Sequence, residues 1–192
     1  MCKSNFGTRQ IVFKHLTKTL TYLAIVVALC TLGRTTARAQ KLDESDTRAL
    51  IHANYLYQFA TNCNWPAETK KGKFYIGVLG NSDVFNATKE KFGAKPVGNQ
   101  TIEVVSLTDI PTTQFFHIIF IDKSRKNDLA KATRDLKTKS TLILTNWDGA
   151  LGSGAHINFK NVDNSVRYEM NENAINDRKI TPGVKIIQWK VQ

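Results

Sequence analysis

The chain alternates between two hydrophobic periods. Over residues 47–63, Leu50, Ala53, Tyr57 and Ala60 fall on one helical face, flanked by Ile51 and Tyr55, and Leu56, Phe59 and Cys63 form a neighbouring stripe. Asp46 or Thr47 stands where a helix cap belongs. Apolar positions cover more than half of this helix, so its own domain must bury it on more than one side, and a partner could share in that. Pro66 ends it, because the residue before a proline avoids helical angles.

Beyond Pro66 the period shortens. Phe74 to Leu79 is a nearly continuous apolar run ended by Gly80-Asn81, which predicts a central strand buried on both faces. Asp83 is placed to cap a short helix through Phe92, closed by Gly93. Thr101 to Leu107 alternates as a second strand. Phe115 to Ile121 reads as another buried strand, followed by a helix opened by Ser124 or Asn127 and carrying Leu129, Ala132 and Leu136. Thr141 to Leu144 is a fourth strand. Strands alternating with helices predict a single-domain α/β fold whose mixed, largely parallel sheet is flanked by helices.

The last third differs. After the glycines at 149, 152 and 154, alternating strands Ala155–Phe159 and Ser165–Met170 flank Asn161-Val162-Asp163-Asn164, predicting a C-terminal antiparallel hairpin. Asn171 is placed to cap a short helix around Ala174-Ile175. Pro182-Gly183 breaks the chain before residues 184–191, which the pattern leaves open between helix and strand. There are no repeats and no linker.

The amino terminus changes how the composition is read. Lys3, Arg9, Lys14 and Lys18 precede an apolar run from Leu20 to Leu32, and Ala37-Arg38-Ala39 follows. This is the build of a secretory signal peptide over 1–39, with a working domain over 40–192. The run is short for a membrane span, which needs about 20 apolar residues. An uncleaved anchor is the competing reading. Lipoprotein processing at Cys30 is disfavoured by bulky Leu29.

Residues 1–39 hold six Lys/Arg and no Asp/Glu, so the net charge falls from +11 to +5 on cleavage. The densest basic patch, Lys70, Lys71 and Lys73, surrounds Gly72 and reads as a solvated turn. No base-reading pattern accompanies it, and an exported chain rarely meets nucleic acid. Cys2 and Cys30 leave with the signal. Cys63 then has no intramolecular partner in an oxidising compartment and reads as a buried, inert thiol.

The search for chemistry yields little. His52, His117 and His156 stand on separate elements without metal-ligand spacing, so neither a metal nor a cofactor is expected. Gly152-Ser153-Gly154 precedes a strand and is no nucleophile elbow. Gly77-Val78-Leu79-Gly80 lacks the full dinucleotide fingerprint. The candidate binding residues are Tyr55 and Trp65 by the first helix, and Arg167, Glu169 and Asn171 along the penultimate strand. Their plainer reading is packing for the aromatics and solvation for the charges.

Several segments together resemble the YfiR-like family: His52-Ala53-Asn54-Tyr55-Leu56-Tyr57-Gln58-Phe59-Ala60, then Asn64-Trp65-Pro66, Phe74 to Gly80, Phe115 to Ile121, Gly154 to Phe159, and Val166 to Asn171. The resemblance spans roughly 47–180. It implies a small exported, periplasmic α/β protein without catalytic residues. Its best-known member represses a membrane-bound diguanylate cyclase through that enzyme's periplasmic domain, and relatives accompany sensor kinases. It therefore implies a membrane-bound signalling protein as partner, a homodimer as a further option, and no membrane anchor after cleavage. This chain departs from the family in lacking paired cysteines and in placing a Pro-Gly break where a leucine-rich closing helix is usual. A stand-alone binder of a small ligand at the strand ends near Gly80 and Asn146 is the second reading; a hydrolase is the third.

Overall fold

The apolar run at Phe74–Leu79 becomes an interior strand of a seven-stranded sheet, with neighbours on both sides, as its lack of alternation requires. The structure, a computed structural model, describes residues 45–191; the predicted signal segment lies outside them. From Asp46 onward the chain is one compact unit.

The elements in order are α1 (45–62), β1 (Cys63–Asn64), β2 (Phe74–Leu79), α2 (Ser82–Phe92), β3 (Pro96–Val97), β4 (Gln100–Leu107), β5 (Ile118–Ile121), α3 (Leu129–Asp135), β6 (Leu142–Thr145), β7 (Ile157–Val162), β8 (Ser165–Met170), α4 (Glu172–Asn176), β9 (Thr181–Pro182) and α5 (Val184–Trp189). The sheet order is β3-β4-β2-β5-β6-β7-β8. Strands β4, β2, β5, β6 and β7 are parallel, and β3 and β8 are antiparallel edges. This is the expected α/β domain with a C-terminal hairpin.

Each face of the sheet has its own core. On one face Ile76, Val78, Ile118, Phe120, Leu144, Phe159 and Tyr168 pack with Leu56 and Phe59 of α1 and Val84 of α2. On the other, Leu79, Ile119, Ile121 and Ile143 meet Leu129 and Ala132 of α3 and the adjoining Leu136. Each such valine, leucine, isoleucine or phenylalanine side chain contributes about 1.5–3 kcal/mol when fully buried.

Several boundaries move. Asn81, not Asp83, caps α2, its side chain accepting from Val84 N–H at 3.0 Å. Asp122 caps the 3-10 turn at Lys123–Asp128, ahead of both Ser124 and Asn127. Asp46 and Thr47 already lie inside α1. The hairpin turn is only Asp163-Asn164, both with positive φ, because a two-residue turn of that hand follows the strand twist. Residues 184–189 are helical. The break before them has a cause: β1 pairs with β9, and a Cβ on Gly183 would lie 2.4 Å from the Asn62 carbonyl, to which the Gly183 N–H donates at 2.8 Å.

The free edge of β8 is covered. Tyr55 Oη donates to the Val166 carbonyl at 3.1 Å, and Val191 N–H donates to the Tyr168 carbonyl at 2.8 Å. Edge strands left bare invite pairing with other chains.

Candidate functional site

In an open parallel sheet, ligands bind outside the carboxyl ends of the strands, where the strand order reverses. Here β2 is followed by β4 on one side and β5 on the other, so the reversal lies between β2 and β5. Gly80-Asn81 follows β2, Asp122 follows β5, and Asn146 follows β6.

Asp122 is the centre of this end. Its Oδ1 accepts from Asn81 Nδ2 at 3.0 Å and Asn146 Nδ2 at 2.8 Å, and its Oδ2 accepts from Ser124 N–H at 2.9 Å. Asn146 Oδ1 accepts from Lys123 N–H at 2.7 Å. Burial alone pushes the Asp122 carboxyl up, but these donors together outweigh it and hold it below the ordinary carboxylate range. Ser124 Oγ donates to the Gly80 carbonyl at 2.9 Å. Gly80 has φ +86°, and a Cβ there would lie 2.5 Å from Arg125 Cγ. Arg125 itself is held by Asp128 and the Thr108 carbonyl. The polar groups at this strand end are thus taken up by one another and by neighbouring backbone.

A second polar chain runs to the hairpin. Asn158, fully buried, accepts from Thr145 Oγ1 at 2.9 Å and Trp147 N–H at 3.1 Å through its Oδ1. Its Nδ2 donates to Glu169 Oε1 at 2.9 Å, and Lys160 Nζ reaches Glu169 Oε2 at 3.1 Å. Glu169 is therefore tied into the sheet, whereas the solvated reading treated it like Arg167. The Arg167 side chain is exposed and makes no ion pair among the described residues.

The other candidates separate. Tyr55 is half-buried and pins β8 from α1. Trp65 is buried edge-on against Phe74, with ring centroids 5.1 Å apart, and among the described residues its Nε1 has no hydrogen-bond partner. Asn171 caps α4 through Ala174 N–H at 3.0 Å, as its position predicts. Arg167, Glu169 and Asn171 share β8 and its end, and Tyr55 reaches that strand; Trp65 lies across the fold by β2. Sequence reasoning missed Asp122 and Asn158. The only signal for Asp122 was an acidic residue closing a wholly apolar strand.

The histidines are neutral and structural in placement. Burial lowers His52 and His117 to about 4 and His156 to about 3. His117 Nδ1 accepts from Tyr75 N–H, so its Nε2 donates to the Thr69 carbonyl at 3.0 Å. His156 Nδ1 accepts from Ile143 N–H at 2.9 Å. His52 stacks on Phe159 at 4.6 Å. Burial pushes the Cys63 thiol up to about 12, which keeps it protonated. Among the described residues no group of three His, Cys, Asp or Glu is placed to hold a metal ion. Nor is any helix there long and apolar enough to cross a membrane.

A family model described as YfiR/HmsC-like matches residues 49–188, nearly all of the described domain. No curated protein matches the chain.

Proposed function

We propose, from the premise that this chain belongs to the YfiR/HmsC-like family, that it is an exported, non-enzymatic regulator of an inner-membrane signalling protein, a diguanylate cyclase or a sensor kinase. The observation that carries this reading is the family match over residues 49–188. The geometry supports it by what occupies the switch point. Asp122, Asn81 and Asn146 satisfy one another there, and Arg125 is taken up by Asp128 and the Thr108 carbonyl, so the second reading, a small-ligand binder near Gly80 and Asn146, has less to build on.

In this reading the regulatory surface is the β8 side of the sheet. Arg167 is the exposed charge that meets the partner. Glu169 and Asn171 hold the strand and its end in place, Tyr55 pins the strand from α1, and Trp65 supports the domain from inside. The partner's periplasmic domain is the contact, and the working protein keeps no stable membrane anchor after cleavage at Ala39.

Deleting the gene in its own host tests the reading. Cyclic diguanylate or kinase output then shifts, and the wild-type chain restores it when supplied with an intact signal segment. Restoration by a chain retained in the cytoplasm contradicts the proposal.

A further inference from the structure

The lysines are not spread evenly over this domain. In a parallel sheet the strand starts and the helix ends lie at one end of the molecule. Lys70, Lys71 and Lys73 precede β2; Lys89 and Lys91 close α2; Lys95 opens the connection to β3. All six are exposed, against three acidic residues at the same end, Glu68, Glu90 and Glu103, which leaves a net excess of lysine there. Only Lys73 has a carboxylate partner among the described residues, Glu103.

This end is built, not loose. The buried Gln100 amide donates to the carbonyls of Thr69 and Lys71 at 3.1 and 3.2 Å, and buried His117 holds the Thr69 carbonyl at 3.0 Å. Two interior side chains thus fix the lysine loop against the strand starts. At the end of α2, where Glu90 stands between Lys89 and Lys91, aromatic rings lie beside the lysines. Lys95 Nζ lies 5.3 Å from the Phe92 ring centroid and 5.8 Å from that of Tyr57, and Lys91 Nζ lies 5.6 Å from that of Phe92. Tyr57 and Phe92 stack at 4.5 Å. A cation over a ring face keeps its charge available, where an ion pair would cancel it.

We propose that this lysine pole seats the protein on an anionic phospholipid surface. The complementarity is of charge and of kind. All six groups are lysines, which meet phosphate as point charges on flexible stems, and they spread over a loop, a helix end and a strand approach. That suits a diffuse array of headgroups better than the bidentate pairing that arginine brings to a protein interface. The opposite end carries Lys123, Arg125, Lys126 and Lys131 beside Asp83, Asp109, Asp122, Asp128 and Asp148 and has no such excess. The inference rests on the exported location proposed above, but it needs no protein partner.

Vesicle co-sedimentation at low salt tests it, using the processed protein. Binding to vesicles of phosphatidylglycerol and phosphatidylcholine, absent with phosphatidylcholine alone and abolished by raised salt, is the expected result. Lys89→Glu/Lys91→Glu/Lys95→Glu should weaken that binding about tenfold or more with an unchanged thermal melt. Lys123→Glu/Lys126→Glu should leave it as it is. Equal binding to both vesicles, no binding to either, or equal loss in the two variants overturns the proposal. So does a pole that binds no vesicle yet is required for capture of an acidic protein. A regulator that needs no membrane contact would still pass the gene-deletion test, so the two readings fail separately.

Discussion

Asn158 and Glu169 face each other across the β7–β8 ladder, and the buried Asn158 amide donates to Glu169 Oε1 at 2.9 Å. Arg167, two residues earlier on the same face of β8, has no such anchor. The two charges therefore behave differently. Glu169→Leu leaves Asn158 Nδ2 without its acceptor in the interior, which costs about 1–3 kcal/mol. Arg167→Glu should keep the thermal melt within a few degrees and alter signalling output. Melting and output measured on the same two variants check this. A large loss of stability in Arg167→Glu would place that side chain in a buried network.

Trp65 contributes through packing alone. Its indole N–H has no acceptor among the described residues, so the ring's worth lies in its contact with Phe74 and the space it fills. Trp65→Ala should cost about 3–5 kcal/mol by urea unfolding, and Trp65→Phe less than half of that. If Trp65→Ala unfolds at the wild-type midpoint, the side chain is not holding the end of α1 to the sheet.

Acid should weaken the fold before any carboxylate titrates. His52, His117 and His156 have folded-state values near 4, 4 and 3 against an ordinary value of about 6.5. The unfolded chain then binds more protons than the folded one below that ordinary value. Stability is full above about pH 6.5 and falls as the pH drops toward 4, by about 1–2 kcal/mol per histidine by pH 5. Asp122, whose folded-state value is depressed, adds a further loss as the pH falls through the carboxylate range. Denaturant unfolding at pH 7, 6 and 5 checks this; a flat profile from 7 to 5 contradicts the buried, neutral histidines.

Much of this architecture is legible in the residue pattern, and the exceptions share a cause. Continuous apolar runs at Phe74–Leu79 and Ile118–Ile121 mark strands buried on both faces, and the alternation of Val166, Tyr168 and Met170 marks an edge. What escaped depends on distant partners. The two-residue strand Cys63–Asn64 exists because Thr181–Pro182 returns to it. Glu169 looks solvated until Asn158 is set opposite. Asp122 looks like a strand terminator until Asn81 and Asn146, 41 residues before and 24 after, converge on it. The helix at 184–189 was unreadable because its short apolar run fits either period, and the close approach of Gly183 to Asn62 decides where it starts.

Processing is expected between Ala39 and Gln40. Intact-mass measurement on the periplasmic fraction should give a chain beginning at Gln40 with no adduct. A mass retaining residues 1–39, or a lipid on Cys30, means that the chain stays attached to the membrane.

Regulation of this kind requires direct contact with a membrane signalling protein on the periplasmic side. Gentle crosslinking in intact cells, recovery of the processed protein and mass-spectrometric identification of the chains joined to it test this most directly. The expected product is a crosslink to a membrane protein that carries a periplasmic domain and a cytoplasmic cyclase or kinase domain, with crosslinks near Arg167 lost in Arg167→Glu. Crosslinks to soluble periplasmic proteins alone, or to no other chain at all, would contradict it.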